Sequence, residues 1–514
     1  MIVPFSISDF LDRAVQVYGE RVGVVDEPDQ PAAALGNEHG ELTYAEIGDL
    51  ARRQAARLDE LGIGVGERVA IVSHNSSRLL TSFFGVAGFG RVLVPVNFRL
   101  RPDEVQYIVE QSGARVLYVD PEVDEALASV TCEHRFVLGD DESLYAAPGT
   151  EPMPWEPDEN ATATINYTSG TTARPKGVQI THRNIWVNAT TFAMHVGVSD
   201  RDVYLHTLPM FHANGWGHPF AATGLGVKHV VIRKIDGAEI LRRVEEHGVT
   251  YMCAAPAVVA AVLEAAQTWD GPIPGRDRVR IIVAGAPPPT RTVARVEEEL
   301  GWEFIQIYGL TETSPLLTVN RSRQEWDDLS ADERAAKLVR AGAPALGVTL
   351  SLGPEDEVLA RSNVVLEGYW EKPEETAAAL ADGWFHTGDG GTIGDDGYLT
   401  ISDRKKDVII TGGENVSSIE VEDVLFSHPA VAEVAVIGVP SERWGETIKA
   451  LVVLAAGETA TEADLIAWCK EKAAGYKAPT SIEFRDELAR TATGKLQKFK
   501  LRAPYWEGRD RQVN

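Results

Sequence analysis

The sequence predicts an α/β protein: a large N-terminal domain of mixed sheets with flanking helices, followed by a small, mobile α+β C-terminal domain. One observation is the alternation of short apolar strands with helical patterns along most of the chain. Another is a length of 514 residues with 44% hydrophobic and 24% charged residues, enough for two to four domains at roughly 100–200 residues each. A third is the charged run Ser402-Asp-Arg-Lys-Lys-Asp407, placed between two strand-like stretches. Residues 1–403 are assigned to the first domain, 407–514 to the second, and a hinge to 403–407.

Apolar residues fall at helical spacing over Ser8–Gly19 and Thr43–Leu61, the latter through Ile47, Leu50, Ala51, Ala55, Leu58 and Leu61. Arg68–Val72, Val92–Val96, Val116–Val119, His229–Arg233, Arg280–Ala284 and Phe304–Tyr308 read as buried strands, with a helix over Ala238–His247 between two of them. This rhythm implies largely parallel sheets. Glu151–Asn160, polar and proline-containing, is either a connector or a surface loop inside one large domain. After the charged run, Ala432–Gly438 and Ala450–Leu454 supply strands for the smaller domain.

The balance of 76 acidic against 49 basic residues gives a net charge of −27, which disfavours a nucleic-acid backbone as the main partner. Single nucleotides stay open, because a few cations and backbone amides suffice for them. No run of about 18 apolar residues signals a membrane span, and no leader pattern is present. Cys132, Cys253 and Cys469 are far apart and share no metal-ligand spacing, so neither a disulfide framework nor a zinc site is signalled. A reducing, cytoplasmic location is expected.

The most informative chemistry lies in Ala161–Val178, ATATINYTSGTTARPKGV. A strand-like Thr164–Tyr167 feeds a loop of hydroxyls and glycine with one lysine. Gly170 lets backbone amides approach an anion, Thr168, Ser169, Thr171 and Thr172 offer hydroxyls, and Lys176 adds a charge-assisted donor. Such a loop can wrap phosphates, although the GxxxxGK[ST] pattern of a Walker loop is absent.

With that run, the chain resembles the AMP-forming adenylating enzymes: acyl-CoA synthetases, nonribosomal adenylation domains and luciferases. The other signatures follow in order. Tyr308-Gly-Leu-Thr-Glu312 resembles the family's YGxTE segment, Thr387-Gly-Asp389 its TGD, Asp403–Asp407 its hinge and Thr493-Gly-Lys495 its C-terminal lysine motif. The resemblance spans about Phe5 to Arg502, and most favours a fatty-acyl-CoA synthetase.

The resemblance implies that Thr168–Lys176 close over the β- and γ-phosphates of ATP, and that Thr168 and Glu312 help hold Mg2+. Tyr308 and the Gly285-Ala286-Pro287 backbone would flank adenine, with Gln306, Gly309 and Thr311 also lining the nucleotide site. Asp389 would accept both ribose hydroxyls, and Arg404 would assist ribose and phosphate. Lys495 would bridge the two anions that meet when a carboxylate attacks the α-phosphate; no general base is needed, because the carboxylate is already ionised. By the same resemblance Lys406 is the pivot on which the C-terminal domain rotates before the thiol step. Gly412 and Gly413, in Val408–Asn415, would line the CoA tunnel.

At the acyl end, Leu208–His218 matches the segment beside the carboxylate pocket, with His212 at its catalytic aromatic-or-histidine position and Trp216 at a gate position. Ala255, within Cys253–Ala257, and Gly285 leave room for a slot suited to a medium or long alkyl chain at roughly 0.8 kcal/mol per buried methylene. A flat aryl acid fits the same slot.

Ala173, Ser417-Ser418 and Thr491-Ala492 depart from the family pattern without removing a chemical group. The expected reaction converts a carboxylic acid, ATP and CoA into acyl-CoA through an acyl-adenylate. Transfer to a carrier protein or another nucleophile is the alternative, and a non-catalytic adenylate-binding protein is the reading of a different class. The resemblance also admits a homodimer.

Overall fold

The computed structural model describes the chain apart from residues 29, 33–34, 169–174, 286–287, 405–406, 412–413, 442–443, 491–495 and 508–514, and apart from the side chains of Arg404 and Asn415.

The strands predicted from apolar runs form, and they divide between two large sheets. In the nine-stranded sheet Glu303–Gly309, Arg280–Val283, Tyr251–Ala254, Val203–His206, Lys228–Val231 and Val22–Val25 lie side by side in parallel. Antiparallel strands Leu316–Asn320 and Glu41–Thr43 extend its two sides. The seven-stranded sheet has a parallel centre of Thr162–Thr168, Val92–Val96, Arg68–Val72, Ala114–Val119 and His134–Val137, with Lys176–Thr181 paired antiparallel to its first strand. The mixed character therefore comes from hairpins added to parallel cores, whose inner strands, such as Val92–Val96, are buried on both faces.

Helices Ser8–Tyr18, Tyr44–Glu60 and Gly237–His247 occupy the stretches where apolar spacing places them. Tyr44–Glu60 begins with a capping box in which Thr43 and Glu46 satisfy each other's backbone amides.

Glu151–Asn160 resolves as a loop inside one body. Strand Val92–Val96 before it pairs with Thr162–Thr168 after it, Trp155 Nε1 donates to Gly88 O at 3.1 Å, and the Phe5 amide donates to Glu159 at 3.1 Å.

A four-stranded antiparallel sheet follows, ordered Val348–Leu352, Glu357–Ser362, Phe385–Ile393, Leu399–Arg404. Its last strand runs into the charged segment that reads as a boundary in the sequence.

The remaining sheet contains Glu414–Val416, Ile409–Thr411, Gly445–Leu454 and Val431–Ser441, with Ser481–Phe484 parallel to Gly445–Leu454. It has its own core of Ile409, Val421, Leu425, Val436, Ile448, Leu465 and neighbours, all from residues 409–482. Among the described residues, no helix is long and apolar enough to cross a membrane.

Candidate active site

The strand ends of the nine-stranded sheet, the Thr162–Thr168/Lys176–Thr181 hairpin and the four-stranded sheet carry the expected site residues. At the hairpin, Thr168 lies directly opposite Lys176. The Lys176 ammonium stands 4.9 Å from the centre of the Tyr369 ring, and the Tyr369 hydroxyl donates to Glu312 Oε1 at 3.0 Å. Burial, and then the Glu312 carboxylate, push the Tyr369 pKa far up, so the phenol stays protonated and holds that bond. Thr168, Lys176 and Glu312 are thereby linked through a tyrosine that motif reading did not single out. Its place is fixed by Gly368–Tyr369 pairing with Val178 and Gln179.

A second pair joins the YGxTE and TGD segments: Tyr308 Oη donates to Asp389 Oδ2 at 2.7 Å. The buried Asp389 faces Arg404 across the strand ladder, and its amide donates to Thr387 Oγ1 at 3.1 Å. Gln306 is buried two residues before Tyr308 on the same strand, with its Oε1 unpartnered among the described residues. A lone acceptor of this kind suits an exocyclic amine.

Gly309 is required by close approach, since a Cβ there would stand 1.6 Å from the Pro315 carbonyl. Thr311 is buried, and Glu312 follows it in a short helical turn. Gly285, just past Arg280–Val283, has φ +101°, a conformation suited to glycine.

The acyl segment folds in a way the sequence did not disclose. After the half-buried His212, residues Ala213, Asn214, Gly215, Trp216 and Gly217 all have positive φ, forming a left-handed turn. For non-glycine residues this costs roughly 1–2 kcal/mol each.

Side-chain amides hold the turn. Asn166 Nδ2 donates to Asn214 Oδ1 at 3.0 Å, Asn214 Nδ2 to Thr164 Oγ1 at 2.8 Å, and Asn188 Nδ2 to the Trp216 carbonyl at 3.2 Å. Trp216 is buried in a cluster with Phe192, Tyr204, Leu208, Tyr251 and Cys253. Ala255 is buried as well, at the start of helix Pro256–Ala266.

At the expected hinge, the buried Asp403 accepts from the Ser418 amide at 2.9 Å and the Ser418 hydroxyl at 2.5 Å. Lys498 Nζ also donates to that hydroxyl and pairs with Glu422 at 2.8 Å. Burial works against the lysine's charge, but Glu422 and Asp403 outweigh it and raise its pKa. Ser418, a departure from the family pattern, thus ties the hinge to helix Ser418–Phe426. Thr290 donates from its amide and its hydroxyl to Asp423, at 2.9 and 3.0 Å.

Ser169, Gly170, Thr171, Thr172, Ala173, Ala286, Pro287, Lys406, Gly412, Gly413, Thr491, Ala492 and Lys495 lie outside the described residues, as does the Arg404 side chain. The three cysteines are unpaired, and no cluster of three or more histidine, cysteine or acidic residues with metal-site geometry occurs among the described residues.

A fold with two parallel-cored sheets and paired YGxTE and TGD segments is that of an adenylate-forming enzyme, and the comparisons agree. Residues 11–370 match the AMP-binding enzyme family and residues 420–495 its C-terminal domain family. The chain belongs to the AMP-binding enzyme family.

It is 36% identical to a probable acyl-activating enzyme 5, peroxisomal, of Arabidopsis thaliana, over 97% of this chain and 95% of that one. It is also 36% identical to 4-hydroxybutyrate–CoA ligase 2 of Metallosphaera sedula, over 96% and 93%. Among solved structures, the anthranilate CoA ligase AuaEII in complex with anthranoyl-AMP superposes with a TM-score of 0.86 at 27% identity, covering 98% of both chains.

Proposed function

We propose that this chain, an AMP-forming acid–CoA ligase, acts on a small carboxylic acid. The observation that carries the size is the packing of the large rings of Trp216, Tyr204 and Tyr251 in one buried cluster with Cys253, the first of the small residues expected to leave room for an alkyl chain. Relatives whose names specify 4-hydroxybutyrate and anthranilate, both small acids, support the same size class. A medium or long fatty acid is the second reading, favoured by likeness to a Mycobacterium tuberculosis fatty acyl CoA synthetase at 31% identity.

ATP would lie with its adenine against Tyr308 and Gly285, its ribose on Asp389, and its phosphates on Thr168, the loop from Ser169 to Thr172, and Lys176. Thr168 and Glu312 would hold Mg2+. Their hard oxygen donors fit an ion bound by one or two carboxylates plus substrate phosphates rather than by an all-protein cage, and the ion would neutralise phosphate charge. His212 would flank the substrate carboxylate, and Lys495 would bridge carboxylate and α-phosphate during attack. Residues 407–514 would rotate about Lys406 and bring Gly412 and Gly413 to the CoA thiol. The unpaired cysteines favour a reducing compartment, cytoplasm or peroxisome.

Mass spectrometry of products from MgATP, CoA and a pool of short, long and aryl acids tests the reading. AMP with a short or aryl acyl-CoA is expected, and exclusive use of long chains would replace it with the second reading. The pivot has its own test, because proline fixes φ. Lys406→Pro is expected to leave adenylation near wild type and slow thioester formation at least tenfold; equal losses in both half-reactions would remove the hinge assignment.

A further inference from the structure

Beside the left-handed turn, four buried side chains gather around one ring. Tyr204 lies 4.6 Å from His206, 5.1 Å from His218 and 4.6 Å from Tyr251, and His218 lies 5.4 Å from Tyr251, centre to centre. All four are at most 1% exposed. They nevertheless leave polar atoms unused: both ring nitrogens of His218, the Tyr251 hydroxyl and His206 Nδ1 have no hydrogen-bond partner among the described residues. The Tyr204 hydroxyl, near the Cys253 thiol and amide, likewise has no partner in hydrogen-bonding geometry among the described residues. Each buried group left this way costs roughly 1–3 kcal/mol, so several together on neighbouring strands are a feature to explain.

The donors and acceptors can be assigned. Thr223 Oγ1 donates to the Pro219 carbonyl at 2.7 Å, so its oxygen accepts from His229 Nε2 at 3.1 Å. His229 Nδ1 then accepts from His206 Nε2 at 2.8 Å, which leaves His206 Nδ1 as a bare acceptor. Burial lowers the pKa of His218 and of His229 to about 3, and that of His206 well below its ordinary value, so all three imidazoles are neutral.

The cluster therefore offers N–H and O–H donors together with nitrogen lone pairs, and no net charge. Arg280, the cation whose charge acts on His218 and Tyr251, is taken up by Asp202 and the Val196 and Gly197 carbonyls, so it is not free to serve a second carboxylate. An alkyl terminus would leave every one of these groups unsatisfied. A hydroxyl both donates and accepts.

Position completes the argument. His218 is two residues past Trp216, and Tyr204 and Tyr251 share a core cluster with Trp216, Cys253 and Ala284, the last adjacent to Gly285. We propose that this cluster receives a hydroxyl at the end of the acid substrate remote from its carboxylate. The proposal rests on the reading that the acid pocket lies over Trp216, Ala255 and Gly285.

Binding of hydrolysis-resistant acyl-sulfamoyl adenosines tests it by titration calorimetry, using butanoyl, 3-hydroxybutanoyl, 4-hydroxybutanoyl and 5-hydroxypentanoyl forms with pentanoyl as the longer control. Wild type is expected to bind at least one hydroxylated analogue roughly tenfold or more tighter than its unsubstituted partner, since a site built to hydrogen-bond a hydroxyl rejects the analogue lacking it.

Tyr251→Phe, which removes one oxygen, and His218→Phe should each shrink that ratio toward one; an unchanged thermal midpoint for Tyr251→Phe shows the fold intact. Equal affinity across every pair, or a ratio untouched in both variants, overturns the inference in favour of ordered water at the cluster while the ligase reading stands. Failure of all the analogues to bind would instead bring down the acid-pocket reading and the inference with it.

Discussion

The proposed nucleotide side and the proposed acyl side of the site are built on opposite plans. On the nucleotide side, side chains from short contiguous motifs bond directly to one another, Tyr308 to Asp389, or to a neighbouring strand, Glu312 to Tyr369. On the acyl side, residues from separate strands and a helix crowd together with their polar atoms unpaired. Chemistry that every substrate shares can be fixed within the protein before the substrate arrives, whereas selectivity for one acid requires groups that the protein itself does not satisfy.

The largest break in this comparison is expected at Lys495. Lys495→Ala should slow acyl-adenylate formation by roughly 10²-fold or more, the scale of one electrostatic donor, for every acid alike. Rapid-quench measurement of AMP-linked product at saturating acid decides it, and a wild-type rate would remove the lysine from the mechanism.

Acid should separate the two sides next. An unfolded histidine takes up its proton near pH 6.5, but burial holds His218 and His229 near 3 and His182 near 4. Between those values the unfolded chain binds more protons. The stability tied to neutral histidines is thus complete above pH 6.5 and declines as pH falls through 6.5 toward 3–4. By pH 5 the loss should be on the order of 1–2 kcal/mol per histidine. Amide exchange should then quicken in Val203–His206 and Tyr251–Ala254 ahead of Glu303–Gly309; uniform exchange would erase the contrast.

Asn214→Ala removes two of the three side-chain bonds that pin the left-handed turn, leaving that from Asn188 to the Trp216 carbonyl. A loss of about 1–3 kcal/mol in urea unfolding is expected, with a raised KM for acid and an unchanged KM for ATP. A matching rise in both KM values would mean the turn serves the whole site. The smallest effect belongs to Tyr308→Phe, which leaves the Asp389 carboxylate without one donor and should cost about 1 kcal/mol in ATP binding, read as a several-fold higher KM.

Legibility in the sequence follows the same division. The YGxTE and TGD runs placed Tyr308, Glu312 and Asp389 because those residues stand within a few positions of their glycines. The apolar strands were legible because a parallel core buries both faces, giving unbroken runs such as Val92–Val96.

Tyr204, His206, His218 and Tyr251 carried no local signal. They meet only through the pairing of Val203–His206 with Tyr251–Ala254 and the packing of a helix over it. The left-handed turn was also hidden: of its five residues only Gly215 and Gly217 advertise positive φ, and the asparagines that hold it come from 26 to 48 positions away, Asn188 and Asn166. The charged run at 402–407 reads as a boundary in the sequence, but its first residues, Ser402 to Arg404, belong to a strand, and the carboxylate of Asp403 is buried there against Ser418.

Asp403 belongs to two partners at once. Its backbone is laddered to Gly390 in the four-stranded sheet, while its carboxylate grips Ser418 at the head of the next helix. Any swing of that helix away from the sheet has to unfasten one grip or the other. If the proposed rotation occurs, this shared carboxylate would act as a catch that has to open before residues 407–514 turn.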